Sequence, residues 1–373
     1  MRLCTVVGAR PQFIKAATVS RIIAAQTAVQ EIIIHTGQHY DDNMSKQFFD
    51  ELNIPTPNYQ LNTGSGLHGQ QTGQMLAKIE EVLLQEKPDW LLVYGDTNST
   101  LAGALAAAKL HIPVAHVEAG LRSFNRKMPE EINRIMADHV STILFPPTEN
   151  GHRQLLKEGI SNAQIYNVGD VMYDATLYYN KRNTTRETLV DRLNIKSKPY
   201  ALVTIHRAEN TDSHTRLIHI FDALIELSNE MAIILPLHPR TLAIASKLEL
   251  LPRLEQHIQI IEPVGYLDML ALEQHASCII TDSGGVQKEA YFNRVPCITL
   301  RDETEWVELI SNGWNQLCSP NTPFSLLNVI KAGSFEKKPD VTLFGDGDAA
   351  RKIVKILSEH PGNNYPNYIE VHT

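Results

Sequence analysis

Short apolar runs alternate with longer amphipathic stretches along most of this chain, and this alternation most restricts its fold. It predicts parallel strands separated by helices, the pattern of α/β proteins. A first series predicts strands at Leu3–Val7, Glu31–Thr36, Trp90–Tyr94, Val114–Val117 and Thr142–Phe145, with helices at Phe13–Ala25, Gln71–Gln85, Ser99–Leu110 and Glu130–Val140. A second predicts strands at Tyr200–Ile205, Ala232–Pro236, Ile258–Ile261, Ser277–Thr281 and Pro296–Leu300, with helices at Thr215–Asn229, Leu267–His275 and Val286–Phe292.

The two series predict two doubly wound, Rossmann-like domains, and a length of 373 residues suits two domains. We place the join at residues 167–170, before the polar stretch Asn180–Lys198. The N-terminal domain then comprises residues 1–169 and the C-terminal domain residues 170–353. The last helical stretch, Ala349–Glu359, is expected to return to the first domain, which would add about residues 354–373. Two such domains facing each other would form a cleft at the carboxyl ends of their strands.

Composition excludes several classes of function. A net charge of −8 and a pI near 6.0 argue against a broad nucleic-acid-binding surface, although a local cationic pocket remains compatible with them. No apolar stretch approaches the ~18 residues of a membrane span, and the N-terminus runs directly into a strand, unlike a signal peptide. The four cysteines have no metal-ligand spacing, and we expect reduced packing residues at Cys4, Cys278, Cys297 and Cys318. These features predict a cytoplasmic protein.

The stretch Thr281–Glu289 joins a predicted strand to a predicted helix through Ser283, Gly284 and Gly285. Glycines leave backbone N–H groups accessible at the positive end of a helix, which is a place to hold a phosphate. Glu289 follows Gly285 by four residues on the same helix face, where its carboxylate could bind ribose hydroxyls. An ordinary strand-to-helix turn has the same pattern, so this stretch alone leaves both interpretations open.

Charged residues follow the predicted strands of the first domain. Arg10 and Lys15 bring two cations near the end of the first strand, where Arg10 suits a bidentate phosphate contact, although both could instead be solvated surface residues. Asp96, Glu118 and Glu130 follow later strands. Asp96 could instead cap the helix that follows it, and Glu130 and Glu131 could do the same just after Pro129. Three carboxylate sites at one sheet edge, however, would raise one another's pKa, as a general acid or base requires.

In the second domain, His206 and His238 both follow strands, near arginines and the candidate phosphate turn. A lone histidine is more often structural, but two in this position favour stabilisation of a diphosphate leaving group. The loop Pro263–Met269 could cradle a nucleobase, and Arg301 adds charge at the same edge.

Common cofactor motifs are absent from the sequence. It contains neither the phosphate-binding loop of nucleoside triphosphatases nor Gly-x-Gly-x-x-Gly, which removes support for kinase or hydride-transfer chemistry. His35 and His39 lie at a strand end and turn rather than on a helix, so we predict no metal site and no cofactor.

These motifs resemble the non-hydrolysing UDP-N-acetylglucosamine 2-epimerase family along nearly the whole chain. The matching stretches are Gly8–Pro11 with Lys15, Thr36–His39, Gly95–Thr97, His116–Arg122, Pro129–Glu131 with Asn133 and Arg134, His206–Arg207 with Glu209 and Asn210, Thr281–Glu289 and Gly345–Gly347. The resemblance implies the glycosyltransferase-B fold, in which the final helix returns to the N-terminal domain. It also implies a homodimer.

The reaction implied by this resemblance eliminates UDP to give a 2-acetamidoglucal, and then re-adds UDP with inversion at C2. The implied acid/base carboxylates are Asp96, Glu118 and Glu130, with His206 serving the leaving diphosphate. The implied nucleotide-binding residues are Arg10, Lys15, Ser283, Gly284, Gly285 and Glu289. We also count as candidate substrate-binding residues Glu131, Arg134, His238, Met269 and Arg301.

Some positions depart from the commoner members of the family. Gln12 stands where they have Glu, and Trp306 stands where they have Arg. Both variants resemble the branch that acts on UDP-2,3-diacetamido-2,3-dideoxyglucuronic acid in surface-polysaccharide synthesis. Gln38 and His39 match the start of the family's allosteric UDP-N-acetylglucosamine site, but Tyr40 and Asp41 depart from it.

Three other functions compete with this interpretation. A retaining glycosyltransferase of the same fold would leave the acid cluster without a task. The hydrolysing epimerase typically has Arg-Ala-Asp where this chain has Arg10-Pro11-Gln12. A non-catalytic UDP-sugar sensor would tolerate loss of the three acids, all of which are present.

Overall fold

The computed structural model describes residues 1–38, 51–183, 187–193, 195, 198–322, 324–331 and 341–360. It divides into two compact units, the first comprising Met1–Ala175 with residues 342–360 and the second comprising Thr176–Val341. The division lies after the predicted join because one helix, Val171–Asn183, runs across that point. The C-terminal return begins before residue 354 because Gly345 packs on Gly169 and the Ala350 N–H donates to Asp174.

The first unit contains a six-stranded sheet whose strand pairs are all parallel, in the order β3-β2-β1-β4-β5-β6. The strands are β1 Arg2–Val7, β2 Gln30–His35, β3 Tyr59–Gln60, β4 Trp90–Tyr94, β5 Val114–Val117 and β6 Ile143–Phe145. The helices are Arg10–Ala24, His68–Glu86, Asn98–Lys109, Pro129–Val140, Glu149–Lys157, the start of Val171–Asn183, and Ala349–Glu359. This order reverses between β1 and β4, which is where doubly wound sheets bind ligands.

The second unit repeats the arrangement with a parallel sheet in the order β12-β11-β10-β7-β8-β9. The strands are β7 Tyr200–Thr204, β8 Ala232–Pro236, β9 Gln259–Ile261, β10 Cys278–Thr281, β11 Cys297–Thr299 and β12 Asn315–Leu317. The helices are Leu189–Arg192, Ala208–Thr211, His214–Leu227, Pro239–Lys247, Leu251–Glu255, Tyr266–His275, Gly284–Phe292, Val307–Ser311 and Phe324–Lys331. Here the order reverses between β7 and β10.

All ten predicted strands are confirmed to within one residue at each end, whereas β3 and β12 were missed. The central strands were easy to find because both of their faces are buried. In β7, Leu202 packs in one apolar cluster and Val203 packs in the cluster on the other face. Strands buried on both faces are apolar almost continuously rather than in alternation. The edge strand β3 has only two residues, Tyr59 and Gln60, and carries no such signal.

The four cysteines are free thiols and buried, as predicted for packing residues. Burial raises the pKa of the Cys278 thiol to about 12, so its reactive thiolate is scarce near neutral pH. Among the described helices, none combines the length and apolar content that crossing a bilayer requires.

Candidate active site

Gln12 fastens the start of the Arg10–Ala24 helix to two strand ends at the reversal point of the first sheet. Its side-chain oxygen accepts the N–H groups of Gly8 and Ala9 at 2.9 and 3.1 Å. Its nitrogen donates to the Tyr94 carbonyl at 2.9 Å and the Thr100 hydroxyl at 3.0 Å. A glutamate could not donate these last two bonds. The sequence marked Gln12 only as a departure from the family, and the structure shows its task.

Lys15 and Glu118 form an ion pair at the ends of β1 and β5, with side chains only 8% and 10% exposed. Glu118 has φ +72°, a left-handed conformation that is uncommon for a residue with a side chain. Gly95 lies against this pair with φ +61°, and a Cβ there would be 3.2 Å from both Lys15 Nζ and Glu118 Oε2. Gly95 therefore provides both the backbone conformation and the space. Arg10 lies exposed at the start of its helix.

Asp96 follows Gly95 and pairs with Arg134 of the Pro129–Val140 helix. Partial burial raises the pKa of the Asp96 carboxyl above its ordinary value, against the opposing effect of Arg134. The negative charges of Glu118 and Glu130 also raise this pKa, and Lys15 lowers it. The side chain of Asp96 remains 31% exposed, which leaves the carboxylate accessible. The structure thus brings the three predicted acids into one electrostatic cluster.

The capping alternative for these acids does not hold. Thr97, not Asp96, is the N-cap of the Asn98–Lys109 helix, where its side chain accepts the Thr100 N–H at 3.3 Å. The Pro129–Val140 helix has Met128 as its N-cap and no side-chain capping bond. Glu130 is exposed at the second residue of that helix.

Glu131 has contacts that differ from those of its neighbour Glu130. It is 1% exposed, and its carboxylate accepts the N–H groups of Ser123 and Phe124, both at 2.9 Å, and the Ser123 hydroxyl at 3.0 Å. These bonds fix the loop before the Pro129–Val140 helix and leave little of the carboxylate open to a ligand. Glu131 was predicted to bind substrate, but these contacts are those of a residue that anchors a loop.

Asp282 organises the reversal point of the second sheet. It is fully buried and accepts the N–H groups of His206 and Arg207 at 3.0 to 3.1 Å, together with the Asn210 side-chain N–H at 3.1 Å. The His206 imidazole lies 3.3 Å from the same carboxylate through Nδ1 and is 39% exposed. His238 lies next to it, with ring centroids 5.7 Å apart. The sequence pointed to the two histidines but missed the carboxylate that orients one of them.

The Gly284–Phe292 helix begins two residues earlier than predicted, so Gly284 and Gly285 belong to its first turn. Ser283 is the N-cap, with its side chain accepting the Val286 N–H at 3.5 Å. Neither glycine has a left-handed φ, so what they provide is space rather than a turn. A Cβ at Gly284 would lie 2.6 Å from Glu305 Oε1. The Glu305 carboxylate therefore lies against the start of this helix, in space that a side chain at position 284 would need. A phosphate at the first N–H groups of the helix would take the place of this carboxylate.

Arg301 lies beside this helix start through its contact with Glu305. Its side chain is 2% exposed and donates from Nη1 to Glu305 Oε2 at 3.0 Å. Within the described part of the chain, no acceptor lies within hydrogen-bonding distance of its buried Nε. A buried N–H without a partner is costly, so this guanidinium is suited to an anionic ligand.

The remaining candidates have more ordinary contacts. His238 is the N-cap of the Pro239–Lys247 helix and accepts the Arg240 N–H at 3.2 Å through Nδ1. Met269 is partly buried against the apolar cluster of the second unit. Glu289 is 6% exposed, and its charge adds to the effect of burial in raising the pKa of Tyr266, which places the two side chains near each other. His39, Tyr40 and Asp41 lie outside the described residues, whereas Gln38 accepts the Ser99 N–H at 3.0 Å. Across the described ranges, no group of three His, Cys, Asp or Glu residues could hold a metal ion.

The chain is similar to known proteins along most of its length. The sequence model of the UDP-N-acetylglucosamine 2-epimerase family matches residues 21–358. The chain belongs to this family. A Methanococcus maripaludis protein described as a UDP-N-acetylglucosamine 2-epimerase homolog is 56% identical over 360 residues, covering 96% of this chain and 99% of the relative. The UDP-2,3-diacetamido-2,3-dideoxy-D-glucuronate 2-epimerase of Pseudomonas aeruginosa is 50% identical, covering 96% of this chain and all of the relative.

A solved structure supports the same assignment. The Methanocaldococcus jannaschii UDP-GlcNAc 2-epimerase (GlcNAc, N-acetylglucosamine), crystallised with UDP-GlcNAc and UDP, has a TM-score of 0.88 at 47% identity and covers 96% of this chain and all of the other. The predicted family and the glycosyltransferase-B fold class of two parallel α/β sheets are confirmed. The predicted enzyme class, a 2-epimerase and hence an isomerase, is confirmed with them.

Proposed function

We propose that this epimerase inverts C2 of a UDP-linked 2-acetamido sugar, with conversion of UDP-GlcNAc to UDP-N-acetylmannosamine as the first candidate. The carboxylate cluster of Asp96, Glu118 and Glu130 carries the proposal. Epimerisation at C2 needs one group to remove a proton and another to return it on the opposite face. A carboxyl with a raised pKa, such as that of Asp96, exchanges protons more readily near neutral pH than an ordinary one.

The proposed reaction has two balanced steps. A carboxylate takes the C2 proton, the electron pair of that bond forms the C1–C2 double bond, and the C1–O bond breaks with its electrons leaving on UDP. A carboxyl then delivers a proton to C2 from the other face, and a UDP oxygen re-forms the bond to C1. Lys15 holds Glu118 in one position for these steps. Glu131 and Arg134 act as positioning residues for the loop 123–124 and for Asp96.

The second unit is proposed to hold UDP. The N–H groups of Gly284 and Gly285, the partly exposed Ser283 side chain and the buried guanidinium of Arg301 are suited to the diphosphate. The Ser283 N–H itself donates to the Thr281 hydroxyl at 2.9 Å. His206, oriented by Asp282, is suited to stabilising charge on the leaving phosphate oxygen. The remaining proposed nucleotide contacts of this unit are those of His238, Met269 and Glu289, and Arg10 and Lys15 of the first unit are also proposed to contact the nucleotide. The Methanocaldococcus jannaschii structure, which contains UDP-GlcNAc and UDP, supports a UDP-sugar as the ligand.

The second candidate substrate is UDP-2,3-diacetamido-2,3-dideoxyglucuronic acid, with the same chemistry. The 50% identity to the Pseudomonas aeruginosa enzyme favours it. So does Trp306, which is 3% exposed and carries the Lys288 ammonium 4.3 Å from its ring centroid. This buried cation–π pair replaces the arginine that commoner members have at position 306. The test is to offer the purified protein each sugar nucleotide separately and follow the C2 epimer by NMR. Turnover of only the uronate would reject the first candidate.

Further properties belong to the same proposal. We place the enzyme in the cytoplasm, where it would supply a nucleotide sugar for bacterial surface polysaccharide. We also propose a homodimer, which light scattering on the purified protein would test. Neither a nucleic acid nor a membrane is a proposed partner. The NMR assay of C2 epimerisation also distinguishes the epimerase from a glycosyltransferase or a UDP-sugar sensor, because neither of those would exchange the C2 proton.

A further inference from the structure

Four ionisable side chains, most of them buried, are connected in a row next to the carboxylates of the first unit. None of the four takes part in the proposed reaction. His116 and Asp138 have no exposed side-chain surface, and Arg122 is 2% exposed. His116 lies in β5, and Asp138 projects from the Pro129–Val140 helix. Arg122 connects Asp138 to Glu158, which is 21% exposed at the outer end. We call these four residues the buried ionic chain.

The hydrogen bonds of His116 define where its protons are. Nε2 lies 2.7 Å from the Gly95 carbonyl oxygen, which can only accept, so Nε2 carries a proton. Nδ1 lies 2.7 Å from Asp138 Oδ1. Asp138 Oδ2 already accepts the Gly120 N–H at 3.1 Å and faces Arg122 Nη1 at 2.7 Å, so this carboxyl is surrounded by donors.

The protonation of Asp138 follows from those donors. Burial acts to raise the pKa of Asp138, but the hydrogen bonds and charges of His116 and Arg122 outweigh it and leave the pKa below its ordinary value. An ionised carboxylate only accepts, so Asp138 holds the donors around it, the Gly120 N–H and the Arg122 guanidinium, in fixed positions.

Arg122 links the two carboxylates of the buried ionic chain. Its Nη1 lies 2.7 Å from Asp138 Oδ2. It also donates to both oxygens of Glu158, from Nε at 2.8 Å and from Nη2 at 2.6 Å. Glu158, at the partly exposed outer end, accepts from Gln154 at 2.8 Å as well and lies 3.2 Å from His139 Nε2.

At the inner end of the buried ionic chain, His116 contacts the backbone next to Asp96. His116 fixes the carbonyl of the peptide between Gly95 and Asp96. The other side of Gly95 lies against the pair formed by Lys15 and Glu118. A rotation of this peptide would therefore move Asp96. It would also change the packing of Gly95 against Glu118.

Asp138 holds a second part of the same backbone. It accepts the N–H of Gly120, two residues after Glu118, and so restrains the loop in which Glu118 adopts its left-handed conformation. The buried ionic chain thus contacts the backbone next to Asp96 through His116, and the backbone near Glu118 through Asp138. Strained backbone of this kind persists only where neighbouring groups enforce it.

We propose that His116 and Asp138 are positioning residues that orient Asp96 and Glu118 toward C2 of the substrate. The proposal rests on the proposed epimerase function. The two residues touch no reacting atom, and their effect passes through the Gly95–Asp96 peptide and the Gly120 N–H. A role confined to stabilising the fold would leave the rate of proton transfer unchanged in variants that fold.

The hydrogen bond between His116 and the Gly95 carbonyl is tested by long-range ¹H–¹⁵N NMR of the full chain labelled at histidine nitrogens. We expect a proton on Nε2 of His116, because the carbonyl oxygen can only accept. An Nε2 without a proton in the unaltered protein would overturn this hydrogen bond and the proposed link to Asp96.

The positioning role is tested with His116→Gln, whose side-chain nitrogen can still donate to the Gly95 carbonyl, and with His116→Ala, which cannot donate. Misplacement of a reacting group by about 1 Å costs about 100-fold in rate, so we expect kcat for C2 epimerisation to fall by about that factor in His116→Ala. His116→Gln should recover part of the loss, and UDP affinity should stay unchanged in both. The matched control is His152→Gln, a surface histidine that contacts Asn162.

Two results would contradict the positioning role. One is an unchanged kcat in folded His116→Ala, and the other is a loss of UDP affinity equal to the loss of rate. If these variants do not fold, Asp138→Asn is assayed in the same way with the same expectation. Absence of C2 epimerisation in the unaltered protein would instead reject the proposed function, while the NMR experiment would still decide whether His116 Nε2 carries a proton.

Discussion

The Lys15 ammonium pairs with the Glu118 carboxylate, and each side chain is at least nine-tenths buried. The sequence assigned these two residues to different tasks, with Lys15 holding the nucleotide and Glu118 moving a proton. The contact joins the two tasks, because a ligand phosphate that drew Lys15 away would also change the charge around Glu118. Gly95 makes the contact possible, since a Cβ there would lie 3.2 Å from both groups.

Replacement of Glu118 by glutamine should separate binding from chemistry. The amide keeps the shape of the side chain but cannot transfer the proton, so we expect kcat to fall by about 10²- to 10⁴-fold. UDP affinity, measured by isothermal titration calorimetry, should stay nearly unchanged, because the glutamine oxygen can still accept from Lys15 and the proposed diphosphate contacts are those of Ser283, Gly284, Gly285 and Arg301. The control is Glu149→Gln, in the first turn of another helix of the same unit. Equal losses of affinity and rate would make Glu118 a binding residue.

Removal of Arg134 should change the pH dependence of the reaction. Arg134 lowers the pKa of Asp96 against the effect of burial, so Arg134→Gln should raise that pKa further. The limb of the kcat–pH profile that reports Asp96 should therefore move to higher pH, whichever protonation state is active. The exposed Arg153 of the same unit, replaced by glutamine, serves as the control. An unchanged profile, or one moved to lower pH, would show that Asp96 does not limit the rate through its ionisation.

Replacement of Asp282 by asparagine should damage the second unit at its reversal point. The amide group of asparagine brings a donor into a site where Asp282 accepts from His206, Arg207 and Asn210. We expect a loss of about 1–3 kcal/mol in the free energy of unfolding, together with weaker UDP binding. Asp222→Asn breaks an ion pair with Arg253 and is the control for a lost carboxylate. Unaltered UDP affinity would argue that His206 does not need this orientation.

Asp174 should make stability depend on pH. Its carboxylate accepts the Ala350 N–H at 2.8 Å, and burial raises its pKa from 3.8 to about 6. Because the folded state binds this proton more tightly than the unfolded state, the contribution is fully present below pH 3.8 and is lost as the pH rises through about 6. Asp174→Asn should remove this part of the pH dependence of the free energy of unfolding, measured with urea. An identical pH dependence in both proteins would contradict the raised pKa.

The sequence predicted the sheets well because periodicity reports burial, and the central strands are buried on both faces. It predicted the acids because the carboxyl ends of parallel strands meet at one edge. It missed β12, whose three residues Asn315–Leu317 include the polar Asn315 and Gln316. Asn315 is instead buried in side-chain hydrogen bonds with Thr299 and Gln287, which no periodic pattern announces.

The supporting residues of the site could not be predicted from local sequence. In the sequence, His116 stood only in a predicted strand and at the start of a family-matching stretch, with no role of its own. Its role depends on Asp138, 22 residues away, and on the Gly95 carbonyl, 21 residues away. Asp282 lies in a quoted motif, yet its acceptance of the His206 N–H spans 76 residues. Pairings over such distances are products of the folded topology, so they appear only once the strands are placed side by side.

Exchange of the C2 proton with solvent directly tests the proposed C2 epimerisation of a UDP-linked sugar. The purified protein is incubated in D₂O with UDP-GlcNAc and, separately, with the 2,3-diacetamido uronate, and the sugars are followed by ¹H NMR and mass spectrometry. We expect one deuterium at C2 in both epimers of at least one substrate, with UDP still attached and no free hexosamine. Absence of deuterium from both sugars while UDP binds, or accumulation of free hexosamine, would contradict it.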